Sequence, residues 1–190
     1  MDVDGLIFAT AMTVEERIAR RLGPTALVGL GVSNGVPVAD RLVSFGVAGA
    51  LRADLPVGTV IDATRVVDES GAVLWEGGPL GASPARAGTI LGADRIVDDP
   101  SERARLHEAT GADAVDMESA TLARTGRLAG CIRSISDTPT SRLAGLAHAV
   151  TISGRVDYLG FLRGFLREPR ETTRALGNAR RALKALEAVA

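Results

Sequence analysis

The stretch "ADAVDMESATLARTGRLAGCIRSISD", residues 112–137, decides the fold. It opens with a short apolar run over 112–116, continues as a helical pattern over 117–129 and closes with a second apolar run over 131–137. A strand, a helix and a strand in succession make the unit from which parallel sheets are built, because parallel strands need a crossover between them. The same stretch sets Asp116 and Glu118 on either side of Met117, where the first strand gives way to the helix. Carboxylates placed there have two explanations. They favour the positive end of a helix dipole, or they hold a ligand's hydroxyl groups beyond the end of a strand.

Working outward, "GLIFATAM" (5–12) reads as a buried strand. Thr13 then caps a helix over 14–22 that carries Glu15 and Glu16 in its first turn. Apolar runs follow over 26–31 and 42–51, and both end in small residues. The β-branched content of "GTVIDATRVVD" (58–68) predicts a strand, the glycines and prolines of 69–87 a loop or loose hairpin, and 87–97 a further strand. Helices are predicted over 100–110 and over 169–189, the latter from Leu176, Ala179, Leu183 and Leu186 at helical spacing. Strands alternating with helices imply an α/β fold, a three-layer, mostly parallel twisted central sheet flanked by helices. One connection is unusual. Only "VSNGVPVADR" separates the second and third strands, fewer residues than a parallel crossover takes, so either that link is very tight or the two strands are not parallel neighbours.

A length of 190 residues suits one domain over 1–190. Charged residues at 24% and a net charge of −1 exclude the broad cationic surface that nucleic-acid binding needs. The single cysteine, Cys131, rules out an intrachain disulfide framework, suits a reducing compartment and reads as a core residue. Acids precede the first short apolar run, the reverse of a signal peptide, and no apolar run reaches the ~18 residues of a membrane span. The expectation is a cytoplasmic protein.

In sheets of this kind ligands bind beyond the carboxyl ends of the strands. Three acids, Glu15, Glu118 and Asp137, follow strands from widely separated positions, with glycines beside them that allow a ligand close to the backbone. Each alone could be a helix-start or turn acid; their convergence on one rim is the stronger signal. Competing chemistries lack their residues. "GLGVSNG" (29–35) has G-x-G-x-x-x-G spacing with no acid about 20 residues further on, so it is not the dinucleotide fingerprint. His107 and His148 have no second ligand at metal spacing, and neither a G-x-S-x-G elbow nor a Cys–His pair offers a covalent nucleophile. No cofactor and no metal are expected.

Four motifs in order over residues 5–140 resemble the purine nucleoside phosphorylase and nucleosidase superfamily. "AMTVE" (11–15) is similar to the opening Ala-Met-x-x-Glu of the methylthioadenosine/S-adenosylhomocysteine nucleosidases, and "FGVAGAL" with "LPVGTVI" to the Gly-x-Ala-Gly segment and the strand after it. "VDMESA" is similar to the Met-Glu ribose motif and "IRSISD" to the Arg-x-x-Ser-Asp strand end. A narrower resemblance, carried by "SFGVAGAL", "AVDMES" and the tail "GRVDYLGFLRGFLREP" with its Arg- and Ala-rich helix, is to the hopanoid-associated phosphorylases, which remove adenine from adenosylhopane.

The superfamily resemblance implies cleavage of an N-ribosidic bond. Asp137 would hydrogen-bond or protonate the purine at N7, a task for a carboxyl in a dry site, and Glu15 would position an attacking water. Glu118 would accept from the 2′ and 3′ hydroxyls while Met117 packs on the sugar. The backbone of Ala48 and Gly49 would line the ribose or nucleophile site, Ile96 would offer its backbone to the purine, and Ser136 would contact substrate. Asp116 has no such role and reads as a helix-start acid. Arg41, Arg52 and Arg86 are available for phosphate, but none lies in a phosphate motif, and a carboxylate beside the nucleophile favours water. Where the nucleosidases have Gly-Asp-x-Phe, this chain has Gly92-Ala93-Asp94-Arg95, without the aromatic that would lie on the base. The region from Glu15 to Gly46 is also shorter than theirs, as if a crossover helix were missing. A homodimer is the expected assembly, with a peripheral membrane contact through the aromatic- and Arg-bearing segment 156–170 as a further expectation.

Overall fold

Strand β1 (Leu6–Thr10) turns Leu6 and Phe8 into one apolar cluster and Ala9 into another, the period of two that a strand buried on both faces requires. Strand β3 (Arg41–Ala50) repeats the pattern, with Val43 and Phe45 on the first side and Leu42, Ala48 and Ala50 on the second. The two strands pair in parallel, and Phe8 meets Phe45 edge-on with ring centroids 5.9 Å apart. The computed structural model describes residues 5–140, 143, 151–155, 157 and 166–190.

The remaining strands are β2 (Thr25–Leu27), β4 (Val60–Val67), β5 (Val73–Glu76), β6 (Arg86–Gly92), β7 (Ala114–Asp116) and β8 (Leu128–Asp137). All eight form one sheet in which β3, β7, β6, β4 and β8 are joined in a closed ring, since β8 pairs with both β3 and β4. Outside the ring, β1 and β2 extend from β3, and β5 extends from β4. Five of the eight pairings are parallel, as the alternation of elements predicts. The other three, β3–β7, β4–β5 and β4–β8, are antiparallel and make the sheet a mixed one. Among the described residues, closure leaves β2 and β5 as edges.

Helix α1 (Thr13–Ala19) and helix α4 (Pro169–Val189) share a cluster with β1, β3 and β8 through Ile18, Ala19, Leu186 and Val189. Helix α2 (Pro100–Thr110) seats Leu106 against Leu91, Ala112 and Val115. Its limits are the predicted ones because its signals are strong. The Asp99 carboxylate accepts from the amides of Ser101 at 3.0 Å and Glu102 at 2.9 Å, Pro100 opens the first turn, and Gly111 closes the helix at φ 68°.

Several elements differ from expectation. Helix α3 (Ser119–Ala123) replaces the predicted helix over 117–129, because Gly126 turns the chain at φ 70° and Leu128 already begins β8 opposite Leu42. Only Thr25–Leu27 of the second apolar region is strand, and Leu30–Val32 forms a 3-10 turn. Of the two readings of 69–87, loop or loose hairpin, the hairpin holds: β5 pairs antiparallel with β4. Thr13 is not a cap. Met12 holds that position, and the Glu15 carboxylate accepts the Ala11 and Met12 amides instead. In α4 the buried stripe is Thr172, Ala175, Asn178, Ala182, Leu186 and Val189, with Leu176, Ala179 and Leu183 half-buried beside it. The short link between β2 and β3 is explained by their places on either side of β1, each parallel to it, so the two are not neighbours. Among the described residues no helix is long and apolar enough to cross a membrane. His148 and most of the segment 156–170 lie outside the described residues; Leu166 at its end is exposed.

Candidate active site

Residues that follow β1, β6 and β7, with residues of β3 and the end of β8, line one cavity of about 180 Å³. Ala11, Met12 and Glu15 come from the end of β1 and from α1, and Val47, Ala48 and Gly49 from β3. Arg95, Ile96 and Val97 follow β6, Met117 and Glu118 follow β7, and Ser136 and Asp137 end β8. Every candidate drawn from the sequence therefore lines the same cavity: Glu15, Ala48, Gly49, Ile96, Met117, Glu118, Ser136 and Asp137. Leu30, Arg103, Val115, Asp116 and Leu143 complete its wall. Arg41, Arg52 and Arg86 are not in it, and Arg52 is bound to Asp54 and Asp113.

The buried Glu15 carboxylate accepts three backbone amides, from Ala11 at 3.1 Å and Met12 at 2.9 Å on Oε2 and from Val47 at 2.9 Å on Oε1. Loss of hydration raises its pKa above the ordinary carboxylate value, against the opposing pull of Arg133 and those amides. Glu118 accepts the Gly31 amide at 3.0 Å on Oε1 and faces Arg133 at 3.4 Å on Oε2. Burial, with Asp116 and Glu15 nearby, pushes its pKa up to about 8 although Arg133 works in the other direction. Asp116 is more than a helix-start acid. It accepts the Ser119 amide and hydroxyl and also forms a buried ion pair with Arg133.

Asp137 is held on both oxygens. The Ser136 hydroxyl donates to Oδ1 at 2.7 Å, and the Arg103 guanidinium donates to Oδ2. Arg103 is itself fixed, with Nε donating to the Val97 carbonyl at 3.0 Å and Nη1 to the Ala50 carbonyl at 3.2 Å. Two glycines of the "GVAGA" segment make room for these charges. A Cβ on Gly46 would lie 2.5 Å from Glu15 Oε1 and 2.6 Å from Arg133 Nη1; one on Gly49 would lie 2.9 Å from Asp137 Oδ2. Across the β3–β8 ladder Gly46 stands opposite Arg133, so the glycine is the space the guanidinium occupies.

Arg103 and Arg133 are the charges that the sequence candidates omit. Arg133 is the Arg of the quoted Arg-x-x-Ser-Asp motif, so its place was legible, but in a strand buried at all but Ala129 nothing in the sequence marks its partners. Arg103 had a legible signal: it stands three residues before Leu106, on the face of α2 that has to be buried. Arg95, in the place of the expected aromatic, bonds to Glu69 and Glu102 at the cavity rim.

The arrangement defines a nucleoside phosphorylase/nucleosidase-like α/β fold. Within it, residues 76–153 match the sequence profile of the Phosphorylase superfamily. Among similar solved structures is the Helicobacter pylori 5′-methylthioadenosine/S-adenosylhomocysteine nucleosidase bound to a pyrrolidinol inhibitor, 17% identical with a TM-score of 0.58 over 94% of this chain and 98% of that one. Another is the futalosine hydrolase of the same organism, at 15% identity and 0.54 over 92% and 96%. A third is the Colwellia psychrerythraea methylthioadenosine/S-adenosylhomocysteine nucleosidase with adenine, at 17% and 0.56 over 97% and 95%. At these identities the likeness is one of fold. No curated protein matches the sequence.

Proposed function

We propose that the protein cleaves the N-ribosidic bond of a 5′-modified adenosine and releases adenine, with water as the nucleophile and adenosylhopane as the preferred substrate. The observation that carries the proposal is the meeting of three buried carboxyl groups, Glu15, Glu118 and Asp137, from three separate elements in one small cavity. Departure of a purine leaves negative charge on the base and positive charge on the sugar, so the site has to serve both. Asp137 delivers a proton to N7 and makes the leaving group neutral. Glu118 accepts from the ribose hydroxyls beside the growing positive charge, and Met117 packs on the sugar. Glu15, anchored by three amides, orients water at C1′.

Three features favour water over phosphate. The cavity's Arg103 is committed to Asp137, and Arg95 at the rim is bound to two glutamates. Arg133 is engaged by Asp116 and Glu118. A phosphate dianion placed beside Glu15 would meet a carboxylate and, among the described residues of the cavity, no unengaged guanidinium. Met12, Leu30, Ile96 and Leu143 add apolar wall that suits a hydrocarbon 5′ substituent. The fold of the methylthioadenosine/S-adenosylhomocysteine nucleosidases favours a second reading, in which the 5′ group is a thioether.

Adenine release measured from adenosylhopane in detergent and from methylthioadenosine, each with and without phosphate, separates these readings. Release from the lipid nucleoside alone, independent of phosphate, is the expected result. Turnover of the thioether alone supports the second reading, phosphate dependence replaces water as the nucleophile, and binding without adenine release makes the protein a nucleoside-binding protein.

A further inference from the structure

A carboxylic acid that protonates a leaving group ends the step as a carboxylate, and a buried carboxylate without a partner is costly. Asp137 has a partner in place. Arg103 reaches its Oδ2 from α2, an element that carries none of the residues assigned above to the sugar or the nucleophile. Two carbonyl contacts, to Val97 and Ala50, consume Nε and Nη1 and aim Nη2 at the carboxyl group. The Ser136 hydroxyl fixes the other oxygen. Gly49 leaves the gap in which guanidinium and carboxylate meet, since its Cβ would lie 3.1 Å from Arg103 Nη2 as well as 2.9 Å from Asp137 Oδ2. Arg103 therefore sits in a socket built around it, and Nη2 bonds to Asp137 Oδ2 with Asp98 Oδ1 further off at 3.8 Å.

We infer that Arg103 is a positioning residue for the leaving-group step, which locks the Asp137 carboxyl plane and stabilises the carboxylate formed when the proton passes to the purine. The inference rests on the reading of Asp137 as the acid. As the C1′–N9 bond breaks, its electron pair enters the purine ring, N7 takes the Asp137 proton, and neutral adenine departs. Water adds its oxygen to C1′ and gives its proton to the Glu15 carboxylate, so one carboxyl loses a proton as the other gains one, and solvent exchange restores both. The charge that appears on Asp137 appears next to Arg103, where it is worth more in the transition state than in the ground state.

The test compares leaving groups. Adenine needs a proton to leave, whereas 4-nitrophenolate does not, so 4-nitrophenyl β-D-riboside bypasses the acid. Arg103→Met is expected to lower kcat for adenine release from the nucleoside substrate by roughly 10²-fold or more and to change nitrophenol release by only a few-fold. Arg103→Lys, which keeps a cation near the socket, restores part of the loss and serves if the methionine variant does not fold. In an Asp137→Asn background Arg103→Met adds no further loss in adenine release, because the two residues act as one unit. Equal losses on both leaving groups, or losses that multiply in the double variant, overturn the inference and make Arg103 a structural residue. A wild-type protein that releases no adenine from any nucleoside overturns the functional reading itself, a result distinct from either.

Discussion

Around Arg133 three carboxyl groups, Glu15, Asp116 and Glu118, share one buried guanidinium, whereas Arg103 bonds to one cavity acid, Asp137, and has Asp98 3.8 Å from the same Nη2. Both arginines are buried, both are held by neighbours, and both sit in space left by a glycine of β3. The difference lies in the charge count. Burial raises the pKa of both Glu15 and Glu118 above the ordinary carboxylate value, Arg133 works against it at both, and the neighbouring Asp116 and Glu15 add to the rise at Glu118. In the proposed mechanism that region faces the sugar and the water, and the Arg103–Asp137 pair faces the base. One end of the cavity accepts hydroxyl protons and the proton of water. The other supplies a proton and is left as a carboxylate beside a cation.

Perturbing each end in turn sharpens the contrast. Glu15→Gln removes the water's proton acceptor and should lower adenine release by roughly 10²- to 10⁴-fold in a steady-state assay, with KM changed only a few-fold. Arg133→Met leaves three buried carboxyl groups without their cation and should lower stability by about 3–5 kcal/mol in urea unfolding. A loss below about 1 kcal/mol would show that the acids are neutral without Arg133 and remove one half of the comparison. Gly49→Ala wedges a methyl group between Asp137 and Arg103; an activity loss of roughly ten- to hundredfold with little change in Tm is expected, and an unchanged rate would show that their alignment is not needed.

A further effect concerns pH. Glu118 gives up its proton near 4.5 when unfolded and near 8 when folded. Between those values the folded protein binds more protons, so this contribution to stability is complete below about 4.5 and is lost as pH rises towards 8. Its slope reaches at most about 1.4 kcal/mol per pH unit. Glu118→Gln cannot titrate and should flatten the unfolding curve across that window. A variant that follows the wild-type slope would place the effect elsewhere.

How far the sequence disclosed this arrangement differs between the same two ends. The residues assigned to sugar, water and base stand in short motifs at strand ends, where Met117-Glu118, Ala48-Gly49 and Ser136-Asp137 can be read in order. The guanidinium that serves Asp137 comes from a helix over 30 residues earlier in the chain, and its pairing exists only once the sheet has closed. Helix α2 was legible from its Asp99 cap, Pro100 and Gly111, and α4 from Pro169 and the helical spacing of its apolar residues. The end of α3 was not, since "RTGRLAG" continues a helical pattern while the ladder with β3 draws Leu128 into β8. Ring closure through antiparallel contacts was equally hidden, because buried strands look alike whichever neighbour they pair with.

The measurement that tests the account most directly compares wild-type protein and Asp137→Asn for nucleoside binding and for adenine release from the same 5′-modified adenosine. The account predicts that the variant binds within a few-fold of wild type and releases adenine roughly 10²- to 10⁴-fold more slowly. A variant that turns over at the wild-type rate would contradict it, and the proton that frees the base would have to come from another group.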